Sequence, residues 1–168
     1  MATSHIQIDA PPERVFAVLA TPATYADWVV GSETIRDADP NWPAKGSRFH
    51  HRVGVGPLKV KDHTQVVDVD PPRRLVLHAR ARPVGTALVE FRLAPLDGGT
   101  WVTMIETAGD PFSKLSINPL SDPLVRKRND ATLRRLKRIV ETGVVVASGS
   151  SWRRAVRATS ARALAGGR

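Results

Sequence analysis

Five polar side chains stand at positions where strand and helix periodicity turns them inward: His51, Asp62, Thr64, Glu106 and Asn129. Burying such groups without partners costs a few kcal/mol, so each needs a reason to be there. His51 and Asp62 lie on strands joined by the turn Gly54-Val-Gly-Pro57. A hairpin centred on that turn sets His51 opposite Val60 and diagonal to Asp62, about 5–8 Å apart. An imidazole steadied by a carboxylate is a general base tuned near neutrality. The plainer alternative is a hydrogen-bonded pair that only fixes the hairpin. Glu106 ends the last strand. In an apolar pocket its carboxyl would be raised and able to donate a proton, and beside an arginine at the sheet rim it would simply pair. Asn129 interrupts an apolar helix stripe, where it either orients a ligand carbonyl or bonds a strand end or loop.

The elements that must position these groups follow from alternation. Thr3–Asp9 alternates as a strand around Ile6 and Ile8. Pro11 and Pro12 then open a short helix, where a missing N–H costs little, with Val15, Phe16, Val18 and Leu19 as its apolar face. Pro22 opens a second short turn that carries Tyr25 and Trp28, and Trp42 between Pro40 and Pro43 reads as a packing anchor. From Ser32 the chain is mostly strand. Ser47, Phe49, His51 and Val53 point one way. Leu58, Val60, Asp62, Thr64 and Val66 repeat the pattern, followed by Leu75, Leu77, Ala79 and Ala81, then Ala87, Val89, Phe91 and Leu93, and last Val102, Met104 and Glu106. Turns at Asp70-Pro-Pro-Arg and Asp97-Gly-Gly separate them. Regular strands with short turns predict an antiparallel meander with one buried and one basic, wet face. Pro111–Pro119 reads as a loop. A long helix starts at Ser121 or Asp122, with Pro123 in its first turn, and runs to about Thr142, with Gly143 as its stop. Val125, Asn129, Leu133, Leu136 and Val140 form its inward stripe. A sheet and one long helix cannot bury each other flat, so a space between them is the place to look for function.

Composition sets further bounds. The 168 residues suit one domain, read as residues 1–143, with a basic and flexible tail over 144–168. Of the net charge of +9, the tail supplies five through Arg153, Arg154, Arg157, Arg162 and Arg168, with no acid. The basicity is therefore largely a tail property, and no specific nucleic-acid face is expected on the domain. The tail with its single Trp152 is at most a weak contact for an anionic surface. The chain lacks cysteine, which excludes disulfides, thiolate catalysis and Cys-based zinc sites. Neither a spanning apolar run nor a signal-peptide pattern is visible, so a cytoplasmic protein is expected. No metal is expected, because His50 and His51 point to opposite faces while His63 and His78 face lysines and arginines. No cofactor is expected either, since Gly54-Val-Gly56-Pro57 does not meet the dinucleotide pattern. A Ser-His-Asp hydrolase lacks its nucleophile elbow. Oligomeric state is unreadable.

Several strings resemble a known family: Ala10-Pro-Pro-Glu-Arg-Val-Phe, Tyr25-Ala-Asp-Trp28, Gly46-Ser-Arg-Phe-His-His, Val69-Asp-Pro-Pro-Arg-Arg-Leu, Gly99-Thr-Trp-Val-Thr, and Arg128-Asn129 followed by Leu133-Arg-Arg-Leu-Lys. Over roughly residues 3–142 the chain resembles the helix-grip superfamily of START lipid-transfer domains, birch-pollen allergens and aromatic polyketide cyclases, and within it the bacterial polyketide cyclase/dehydrase-like proteins. The resemblance implies an α+β fold: a curved antiparallel sheet of about seven strands gripping a long C-terminal helix, two short helices after the first strand, and an internal cavity. It implies a small hydrophobic ligand, an aromatic polyketide or a lipid. Tyr25, Trp28, Phe49, Thr64, Phe91, Met104, Asn129 and Leu133 would line the site. If a reaction occurs there, His51 would be the base, Asp62 its orienter, and Glu106 or Asn129 the group holding the substrate oxygen. A non-catalytic carrier and an accessory protein that meets an anionic membrane or RNA through the tail are the other expectations.

Overall fold

The computed structural model describes residues 1–55, 58–81, 85–109 and 122–143. The expected loop at 111–119 and the tail at 144–168 lie outside these. Seven strands form one antiparallel sheet: β1 (Ala2–Ile8), β2 (Ser32–Ala38), β3 (Arg48–Val55), β4 (Leu58–Asp70), β5 (Arg74–Ala81), β6 (Gly85–Leu96) and β7 (Gly99–Ala108). Their order is β1-β7-β6-β5-β4-β3-β2. From β2 to β7 each strand therefore pairs with its neighbour in sequence, as short turns require, while β1 closes on the far edge beside β7. The Asp97-Gly98 turn is closed by the Leu96–Gly99 pair. Gly98 has φ +78°, a conformation that suits a two-residue hairpin loop and that glycine adopts without steric cost.

The helices follow the pattern read from the sequence. After β1 come α1 (Pro12–Leu19), a single 3-10 turn at Pro22–Thr24, and α2 (Tyr25–Trp28). The long helix α3 spans Asp122–Thr142. It stops at Gly143, whose φ is +65° and whose N–H reaches the Ile139 carbonyl at 3.0 Å. A left-handed residue that returns its N–H to the last turn ends a helix in this way.

The inward stripe of α3 buries Asn129, Leu133, Leu136 and Val140, joined by Thr132 and Ile139. The helix is tied to β1 and the residue after it near its C-terminal end. Lys137 Nζ donates to the Gln7 carbonyl at 2.9 Å, and the Asp9 N–H donates to Glu141 Oε1 at 2.8 Å. The Val30 N–H donates to Thr132 Oγ1 at 3.2 Å, which fixes the end of α2 on α3. The core lies between the inner sheet face and these helices, with Ile8, Leu75, Val66, Val102, Phe91, Val15, Leu19 and Trp28 almost wholly buried in it.

Candidate functional site

All five inward polar groups are buried where alternation set them. The register corrects one detail of the hairpin. Val55 pairs with Leu58, so His51 stands directly opposite Asp62, not Val60. The centre of the hairpin lies one position further along the chain than centring on Gly54–Pro57 implied.

The contacts of His51 differ from those expected. Its Nε2 lies 3.2 Å from Thr64 Oγ1, and its ring packs on Phe49 with centroids 5.4 Å apart. Asp62 Oδ1 accepts the backbone N–H of His63 at 2.9 Å and lies 3.8 Å from His63 Nδ1. Asp62 acts on His51 through its field, and Thr64 supplies a hydrogen bond that orients the ring. Burial holds the imidazole below its ordinary range; the Asp62 charge opposes this, and His63 and His50 add to it. His51 is 7% exposed, neutral at pH 7, and its Nδ1 has no hydrogen-bond partner. In the tautomer whose Nε2–H donates to Thr64, Nδ1 presents a free lone pair, the form that a base requires.

An aromatic cluster backs this imidazole. The Tyr25 ring centroid lies 4.6 Å from that of Trp28 and 4.7 Å from that of Phe49, and Trp42 lies 4.8 Å from Phe49. The polar tips of the two helix residues are already engaged. Tyr25 OH donates to the Leu19 carbonyl at 2.7 Å, and Trp28 Nε1 donates to Thr24 Oγ1 at 3.0 Å. Burial pushes the Tyr25 phenol well up, so it stays protonated. Tyr25 and Trp28 therefore carry no free polar group, and their rings are packed into the core.

Glu106 belongs to a different part of the sheet. It shares its row with Val89, Leu77 and Val66, on strands β6, β5 and β4. His51 lies on β3, four strand spacings from β7, or about 19 Å measured along the sheet. Along the sheet, strands β4, β5 and β6 therefore stand between Glu106 and His51. Glu106 is ion-paired with Arg128 Nη2, whose side chain is 44% exposed while that of Glu106 is 5% exposed. Arg128 also donates to Asn129 Oδ1, through Nε at 3.4 Å and Nη2 at 3.2 Å. Asn129 is 0% exposed and its Nδ2 has no partner. Between the two polar groups the inner face is apolar, with Phe91, Met104, Leu75, Leu77 and Leu133 buried there.

Two participants escaped the sequence reading. Ser4 is buried opposite Met104, and its Oγ is unpartnered. Its parity with Ile6 and Ile8 was the available signal. Arg128 sits in a basic run, and nothing local distinguishes it from Arg126 or Lys127. Among the described residues no three His, Asp or Glu side chains gather closely enough to hold a metal ion. His50 and His63 are cross-strand partners with ring centroids 6.0 Å apart, on the outer face. Within the described residues no helix is long and apolar enough to cross a membrane.

A curved seven-stranded sheet laid round a C-terminal helix, with short helices after the first strand, is the helix-grip fold. The chain belongs to the family described as polyketide cyclase/dehydrase and lipid transport, whose model matches residues 2–141. Solved structures agree on the fold. Protein NE0264 from Nitrosomonas europaea is 17% identical with a TM-score of 0.64, over 84% of this chain and 94% of that one. TTHA0849 from Thermus thermophilus is also 17% identical with a TM-score of 0.64, over 84% and 97%. DynU16, a putative protein in the dynemicin biosynthetic locus, is 18% identical with a TM-score of 0.61. There the match covers 86% of this chain and 48% of that one. No curated protein matches the chain.

Proposed function

We propose that the protein binds a small, largely apolar molecule between the inner sheet face and α3, and that His51 acts there as a general base on a carbonyl-bearing, polyketide-like chain. The observation that carries this reading is the buried neutral imidazole with its unpartnered Nδ1, held by Thr64 and backed by Phe49. A buried ring nitrogen without a partner is costly unless something else meets it. The family's description, which joins cyclisation or dehydration with lipid transport, supports an apolar ligand of this kind.

The chemistry asks little of the protein. Nδ1 takes a proton from a carbon flanked by two carbonyls. The resulting enolate attacks a second carbonyl of the same chain, forming the C–C bond of a ring. The imidazolium returns its proton to the new alkoxide, and loss of that hydroxyl with a neighbouring proton releases water. Aromatic walls from Tyr25, Trp28 and Phe49 hold the chain and exclude solvent.

A second reading, a carrier without catalysis, draws support from the lipid transport in the same family description. The test separates the two. Purified protein is incubated with aromatic polyketides and fatty acyl compounds, and both retained and altered material are followed by chromatography with mass detection. A cyclised or dehydrated product that disappears in His51→Gln supports the base. Retention of unaltered compound, unchanged in that variant, leaves a carrier.

A further inference from the structure

The unpartnered amide of Asn129 has a fixed direction. Arg128 has only N–H donors, so the oxygen of Asn129 must face it, and the two N–H donors of Nδ2 must face away. Glu106 in turn holds Arg128 through the ion pair. The series Glu106–Arg128–Asn129 thus orients one pair of donors into the interior, at a residue that is 0% exposed. Ser4 lies on the same inner face. Its cross-strand partner is Met104, and Ala2 pairs with Glu106, so Ser4 is the diagonal neighbour of Glu106. Its hydroxyl also lacks a partner.

Two buried donors without acceptors therefore flank a charge pair that is already neutralised. From this we infer a second polar subsite, separate from His51, that takes a neutral carbonyl oxygen of the ligand from Asn129 Nδ2 and Ser4 Oγ. The inference rests on the proposed binding of an apolar molecule between sheet and helix. It adds which end group that molecule carries. A free carboxylate fits poorly here. The Arg128 guanidinium is committed to Glu106 and to Asn129, so a second anion would be buried without a counter-charge of its own. A ketone needs only the two donors that the site offers, and the apolar strip of Phe91, Met104 and Leu133 takes the rest of the chain.

The test compares three naphthalene probes on the full chain. They are a fluorescent propionyl-dimethylaminonaphthalene, the same ring with a propyl group in place of the propionyl, and the same ring with a carboxylate. The ketone is followed directly, since its emission shifts to the red when its carbonyl accepts hydrogen bonds, and the others by competition. The ketone is expected to bind about tenfold tighter than either relative, the worth of a hydrogen bond whose loss would leave buried donors unpaired. Asn129→Asp keeps the shape and the contact with Arg128 but replaces the donors with an acceptor. It should abolish the ketone preference and turn it toward the matching alcohol, which can donate and is added as a fourth probe for this variant. A purely structural role for Asn129 would lower all affinities together and reverse none. Ser4→Ala, a smaller change, should weaken the ketone about threefold.

Equal binding of all three probes to the wild-type protein overturns the subsite and leaves apolar binding standing. Tightest binding of the carboxylate overturns it as well. Failure of every probe to bind overturns the underlying reading of an apolar site.

Discussion

Thr64→Val tests the geometry around His51 most directly. Valine matches threonine in shape, so the substitution makes no cavity and isolates the hydroxyl. That hydroxyl lies 3.2 Å from His51 Nε2 in a site where both residues are buried. Since Nδ1 already lacks a partner, the variant removes the hydrogen bond that holds the imidazole. A buried polar group stranded in this way costs about 1–3 kcal/mol. For a domain of this size that is a fall in Tm of roughly 2–4 °C per kcal/mol, so a shift of about 6 °C is expected for a 2 kcal/mol effect. Guanidinium unfolding followed by tryptophan emission reads the change, since Trp28 is wholly buried. His51→Leu and the double variant complete a cycle. Removing both partners should cost less than the sum of the two single changes, with a coupling of about 1 kcal/mol. A coupling of zero, or a Thr64→Val variant within about 0.3 kcal/mol of wild type, would refute the claim that Thr64 holds the ring.

Three further outcomes follow from the same geometry. Because burial depresses His51 and His63 in the folded chain, the unfolded chain takes up their protons first as pH falls below about 6.5. Stability is then whole above that value and declines below it, and His51→Gln should make the decline of the denaturation midpoint shallower; an unaltered slope would count against a depressed His51. Glu106→Gln leaves Arg128 without its carboxylate, and because that arginine is 44% exposed the loss should be about 1–2 kcal/mol rather than the larger cost of a fully buried pair. Thermal melts in low and high salt would show it, and a gain in stability would contradict the pairing. For the tail, deletion of residues 144–168 removes five arginines and should abolish any co-sedimentation with anionic phospholipid vesicles that the full chain shows at low salt. Retention after deletion would assign that contact to the domain.

Much of the sheet was legible because a period of two carries its own proof. Ser47, Phe49 and His51 on and just before β3, and Val102, Met104 and Glu106 on β7, lie on the buried face as their alternation requires. The ends of α3 were equally local: a proline in its first turn, and a glycine whose left-handed backbone stops it. Cross-strand partners of neighbouring strands were nearly legible, and the error at His51 was a shift set by where along the chain the hairpin turns. That point shows only in the cross-strand register, which no short string records.

The chain by itself determined which side chains would be buried and the class of fold that buries them. It did not determine which of them meet. Thr64 and Asp62 are two residues apart on one strand with the same parity, and only packing decided that the hydroxyl takes the imidazole. Glu106 and Arg128 are separated by 22 positions and come together only once α3 is seated against β1 beside β7. Periodicity is a property of one element and survives in its residues. Partnership between elements is fixed by the closure of the whole sheet and the seating of one helix, and that information exists only in three dimensions.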